Sequence, residues 1–103
     1  MVKTFEAAAE IVKGIISREY PQVRRAWIFG SFSDASQTDQ SDLDIMVEMD
    51  MTMGLAFISL IQDLEDAADI RVYVITTEQA HDLESKHGYL ITRKAVPVYE
   101  RTA

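Results

Sequence analysis

Eight residues, SDLDIMVE from Ser41 to Glu48, limit the fold more than any other stretch. Leu43, Ile45 and Val47 alternate with Asp42, Asp44 and Met46. Side chains on a strand point to opposite faces in turn. The pattern predicts a strand from Leu43 to Glu48 that buries its apolar set. Asp42 and Asp44 then share the other face, about 6.5 Å apart along the strand. Two carboxylates that close repel unless one is neutral or a partner compensates them. A hard cation such as Mg²⁺ compensates with oxygen ligands. A solvated strand end carrying two aspartates satisfies the same pattern with no ligand.

The flanking segments supply a frame for that strand. Phe5, Ala8, Ala9, Val12, Ile15, Ile16 and Tyr20 recur at three- and four-residue steps, with Thr4 before them and Pro21 after. They predict an amphipathic helix over 4–20. Val23–Phe29 reads as a strand stopped by Gly30, and 31–41 as a polar loop with a helical turn. Met53–Ala68 reads as a helix with Leu55, Ile58, Ile61 (or Leu60) and Leu64 facing in. Asp69–Ile75 reads as a third strand. Thr77 caps a helix from Glu78 to about Lys86, broken by Gly88, and a short helix runs through Lys94. Val96–Tyr99 is an edge strand that tolerates Pro97. The expected fold class is α/β (α+β): one domain over 1–103, a small mixed sheet with helices packed mainly on one face. The Asp42 and Asp44 face stays open to solvent, because two carboxylates do not bury without partners.

Composition narrows the function. The chain has 103 residues, no cysteine and a net charge of −7. Without cysteine there is no disulfide framework and no thiolate metal site. The basic residues are scattered, so binding to nucleic acid through a basic face is not expected. No apolar run approaches a membrane span, and the first residues do not open a signal peptide. A soluble, cytoplasmic protein is expected. An acidic protein still binds nucleotide phosphates where metal ions carry the positive charge.

The Gly30-Ser31 turn gives the aspartates a context. Glycine lets the backbone turn tightly, the amides that follow can face an anion, and Ser31 adds a hydroxyl. A phosphate-binding turn beside a carboxylate pair is the apparatus of nucleotidyl transfer. Gly30-Ser31, ten residues, then Asp42-x-Asp44 resembles the signature of the minimal nucleotidyltransferases of the DNA polymerase beta–like superfamily. WIFGSF, SDLDIMVE, VITTEQA and RKAVPVYE resemble successive segments of that family. The resemblance implies the nucleotidyltransferase fold. It also implies that Gly30 and Ser31, with Ser41 shaping the strand entry, hold a nucleoside triphosphate. Asp42 and Asp44 are then the catalytic Mg²⁺ ligands. It further implies a HEPN-domain partner, with the chain acting as antitoxin and transferring AMP from ATP to a partner hydroxyl. A family member that is weak or inactive, and neutralises the partner by binding alone, fits the same motifs.

Two positions depart from the family pattern. Asp34 stands where active members often have arginine, so the loop is expected to bring a carboxylate rather than a cation to the phosphates. Tyr73 stands at the usual position of a third acid, and Arg71 at its alternative. Asp69 is on the same predicted strand face but about 13 Å from residue 73.

The remaining signals are weaker. Met46, Met49, Met51 and Met53 fit either an adaptable partner surface or core packing around a turn. His81 and His87 fall on different sides of a helix, and no H-E-x-x-H motif supports zinc. The acidic loop lacks calcium-loop spacing, because the twelfth position from Asp34 is Ile45. Trp27 is expected in the core.

Overall fold

The computed structural model describes residues 1–50, 53–88 and 91–102. Helix α1 (Phe5–Glu19) begins where Thr4 Oγ1 accepts the Ala7 N–H at 3.1 Å. That bond satisfies one of the amides the first turn leaves unpartnered. Strand β1 (Val23–Phe29) leads into a 3₁₀ turn at Gly30–Phe32, and strand β2 (Leu43–Met49) follows the polar loop. Helix α2 (Leu55–Ala68), strand β3 (Val72–Thr76), helix α3 (Thr77–His87), the single turn α4 (Ile91–Lys94) and strand β4 (Val96–Glu100) complete the order.

The strands lie in the order β3-β2-β1-β4. β1 is antiparallel to β2 and β4, while β2 and β3 are parallel. A parallel pair needs a crossover, and α2 provides it. Pro97 lies on the edge strand β4, where a sheet tolerates a missing N–H.

The main core lies between one sheet face and the two long helices. There Ile28, Leu43, Ile45 and Val47 meet Val12 and Ile16 of α1 and Leu60 and Leu64 of α2. The Tyr20 hydroxyl donates to Asp63 Oδ2 at 2.5 Å, tying the end of α1 to α2. On the opposite face, Phe29, Met46 and Ile75 pack with Ala80 of α3, and Trp27, Leu83 and Ile91 border them. α3 and α4 therefore roof part of the face that carries Asp44, where the alternation alone predicts an open surface. Among the described residues, no helix is long and apolar enough to cross a membrane.

Four expectations are corrected. In α2 the buried stripe is Leu60, Leu64 and Ala68, flanked by Ala56, Phe57 and Ile61, whereas Leu55 and Ile58 are exposed. The helix is apolar on more than one side, so its periodicity admits two phases. The phase that buries Phe57 and Leu60 together is the one that packs. The cap of α3 is Thr76, not Thr77: its side chain accepts from the Gln79 amide, and Gln79 Oε1 accepts from the Thr76 amide. This reciprocal box satisfies two donors at once. Asp69 is not on β3. It closes α2 in the left-handed conformation, and its exposed carboxylate pairs with the chain's amino terminus at 3.6 Å. Trp27 is half-buried in the smaller cluster rather than central. Met46 and Met53 are buried, and Met49 packs against the main core. Met51 lies outside the described residues.

Candidate functional site

Strand register builds the site. β1–β2 pairing sets Phe29 opposite Asp44, and β2–β3 pairing sets Tyr73 beside it on the other side. Asp44 thus projects from the middle of three strands. The chain leaves β1 at Gly30 with φ of +70°, and a Cβ on Gly30 would lie 2.2 Å from Asp44 Oδ2. The turn backbone runs directly against the carboxylate, which only glycine permits. Ser33 fixes the turn by donating to the Gly30 carbonyl through its amide (3.1 Å) and its hydroxyl (2.7 Å). In a turn this short the leading amides have no intrahelical partner.

Asp44 is half-buried, and its carboxyl pKa is raised to about 6, first by burial and second by the charge of Asp42. The two carboxylates therefore feel each other, as the sequence spacing requires. The shift has a consequence for folding. The folded pKa lies above the ordinary 3.8, so the stability tied to protonated Asp44 is complete below 3.8 and is lost as pH rises through about 6. Asp44→Asn should therefore stabilise the nucleotide-free protein at pH 7. The gain should be about 1 kcal/mol after allowance for solvent screening at a half-exposed group. It should vanish near pH 3.5. Urea unfolding of both proteins at the two pH values checks this.

A cleft of about 720 Å³ opens over the junction, lined by Phe29, Gly30, Asp44, Tyr73, Leu83, Ile91 and Lys94. Its size and mixed lining suit a small-molecule ligand. Lys94 is the one cation among the described residues that line it. Sequence reading missed Lys94, Leu83 and Ile91, which lie more than 35 residues beyond Asp44 and reach the cleft only through packing of α3 and α4. The adjacent Arg93-Lys94 pair was the available signal.

The structure separates the other anticipated residues. Ser31 is half-buried in the turn, where its carbonyl accepts the Ser36 amide at 3.0 Å, and neither Ser31 nor Asp42 is among the residues that line the cleft. Ser41 is not brought to the cleft. Its hydroxyl accepts from the Thr38 amide at 2.9 Å and borders a separate hollow of about 60 Å³. Asp34 is not at the cleft either. Its carboxylate accepts from the Ser36 hydroxyl (2.6 Å) and amide (3.1 Å), which hold its pKa below the usual range, with a smaller contribution from Lys94. The expected carboxylate at the phosphates is therefore turned into its own loop, as aspartates in such turns commonly are. His81 and His87 are exposed on α3. Among the described residues, no three His, Asp or Glu side chains converge as a metal site.

Two carboxylates without a third match what one Mg²⁺ takes from protein when phosphate oxygens and water complete its shell. Burial first and the charge of Asp42 second disfavour the Asp44 carboxylate, and a cation between the two would offset the second of these. The donor set thus fits one hard cation.

The profile of the polymerase beta nucleotidyltransferase family matches residues 10–102. The chain belongs to this family. A Methanocaldococcus jannaschii protein assigned as a protein adenylyltransferase is 34% identical over 87 residues, covering 79% of this chain and 86% of the relative. Two solved structures share the fold. One is a toxin–antitoxin crystallised with AMP-PNP (TM-score 0.69, 22% identity, 86% of this chain and 70% of that one). The other is an MNT antitoxin in complex with a tri-AMPylated HEPN toxin of Shewanella oneidensis (TM-score 0.69, 18% identity, 95% and 74%).

Proposed function

We propose that this protein is a Mg²⁺-dependent nucleotidyltransferase. It moves AMP from ATP to a hydroxyl of a HEPN-type partner protein and serves as that partner's antitoxin. The observation that carries the reading is the contact between the Gly30 turn and Asp44. It sets the turn backbone, a source of amide donors for phosphate, against a carboxylate that lines the cleft and feels the charge of Asp42. The Methanocaldococcus relative supports the transfer chemistry, and the AMPylated HEPN complex supports the class of partner.

In this reading each residue has a defined task. Asp42 and Asp44 hold Mg²⁺, which when bound neutralises phosphate charge and lowers the barrier to displacement of pyrophosphate. The amides of the Gly30-Ser31 turn and the Ser31 hydroxyl donate to phosphate oxygens. Phe29, Leu83 and Ile91 form apolar walls that limit water around the reacting phosphate. The acceptor hydroxyl approaches from the open side, where half-exposed Tyr73 stands. Ser41 acts on the loop rather than on the nucleotide.

Tyr73 favours a second reading. It occupies the strand position beside Asp44 where a further carboxylate would sit, so a binding-only antitoxin with an idle site is the alternative. Calorimetry tests the site common to both. Mg²⁺ should strengthen ATP binding to the unmutated protein, and the double variant Asp42→Asn, Asp44→Asn should lose that gain. Equal ATP affinity with and without Mg²⁺ in the unmutated protein would overturn the site.

A further inference from the structure

We infer that Lys94 is a phosphate-binding residue of the cleft, supplying from the C-terminal side of the fold the cation that the Gly30-Ser31 turn lacks. The inference rests on the nucleotide reading above and adds a residue and a charge to it. Three observations place the ammonium there. First, β4 runs antiparallel to β1 with Ile28 opposite Val96. Two residues beyond that pair, the chains reach Gly30 on one side and Lys94 on the other. Second, Lys94 lines the same cleft as Gly30 and Asp44. Third, Lys94 is exposed, and no ion pair within 4 Å engages it among the described residues.

Charge balance gives the placement its meaning. Asp44 lines the cleft and feels the charge of Asp42, and one Mg²⁺ cancels that pair without cancelling a triphosphate as well. The turn offers only neutral amides and a hydroxyl. Asp34 does not line the cleft: Ser36 bonds its carboxylate into its own loop, and Lys94 acts on it only as a smaller, longer-range charge. The remaining phosphate charge therefore faces a single cation. A lysine suits this position: its ammonium is a compact charge on a four-carbon stem that adjusts to phosphate without fixed geometry. The contact also explains how α4, a single turn, belongs to the site, because it carries the ammonium to the phosphates from the strand opposite.

The test compares MgATP with adenosine, which shares the base and sugar but has no phosphate. Binding of each is followed by NMR titration in the unmutated protein, Lys94→Gln and Lys94→Arg. Loss of one charge-assisted contact is expected to weaken MgATP about tenfold in Lys94→Gln. Adenosine should bind the unmutated protein and Lys94→Gln equally, and Lys94→Arg should recover most of the MgATP affinity. The salt dependence of MgATP binding should also be shallower in Lys94→Gln. Unchanged MgATP affinity in Lys94→Gln would overturn the inference and leave the nucleotide site standing. Equal losses for both ligands would overturn it in favour of a packing role. Failure of the unmutated protein to bind MgATP at all would overturn the inference together with the reading it rests on.

Discussion

Tyr73→Asp is expected to raise the rate of AMP transfer on the order of a hundred-fold, equivalent to about 3 kcal/mol of barrier. Tyr73 lies beside Asp44 across the parallel β2–β3 pair, and its side chain is half-exposed. A carboxylate there adds a third oxygen donor next to Asp42 and Asp44. That would let the site orient and deprotonate the incoming hydroxyl more effectively, while one pair of carboxylates already suffices to hold the nucleotide. The effect should therefore fall on the transfer step and leave MgATP affinity within a few-fold of its starting value. Because Tyr73 is not a core residue, the substitution should not unfold the protein. Asp69 offers no rival route, since it caps α2 and lies outside β3. Asp69→Asn should leave transfer unchanged. Single-turnover transfer from labelled ATP to the natural partner, measured for both variants, checks the pair. A rate that falls in Asp69→Asn and does not rise in Tyr73→Asp would refute the assignment.

Gly30→Ala should remove nucleotide binding. A methyl group at residue 30 would sit 2.2 Å from Asp44 Oδ2, and the backbone φ of +70° is strained for any L side chain. The two effects together should cost about 2–4 kcal/mol of stability. Relief of the overlap is expected from rotating the Asp44 carboxylate, which moves its Oδ2 away from the Gly30 backbone. Gly54→Ala separates strain from contact. Gly54 also has positive φ (+57°), but open space surrounds its missing Cβ. That variant should lose about 1–3 kcal/mol from strain and still bind MgATP. Thermal unfolding and calorimetry on the two variants give the comparison. Retained MgATP affinity in Gly30→Ala would mean that the turn does not shape the site.

The strands and helices were legible because their patterns are local. The Asp42-Leu43-Asp44-Ile45 alternation separates core face from site face, and β2 follows it. The spacing between Gly30 and Asp42 showed that a turn and a carboxylate pair occur together, but not that their atoms touch. That contact depends on the β1–β2 register setting Phe29 against Asp44. Helix α2 was misphased because an apolar sequence leaves more than one stripe able to bury, and only packing against α1 and the sheet selects Phe57 and Leu60 over Leu55 and Ile58. Asp34 was misplaced for a different reason. Sequence shows the charge of Asp34 without its hydrogen-bond partner, and Ser36, two residues on, turns the carboxylate into the loop. Lys94 was hidden because the sequence separation from Asp44 is closed only by β4 joining β1, and no motif announces that pairing.

The cleft is proposed to transfer nucleotide rather than only to accommodate it. Intact-mass measurement of the natural partner, after incubation with the unmutated protein, ATP and Mg²⁺, tests this most directly. The mass should increase by whole AMP units, slowly with the unmutated protein, faster with Tyr73→Asp and not at all with Asp42→Asn, Asp44→Asn. A partner of unchanged mass with both the unmutated protein and Tyr73→Asp would contradict it and leave the binding-only antitoxin in its place.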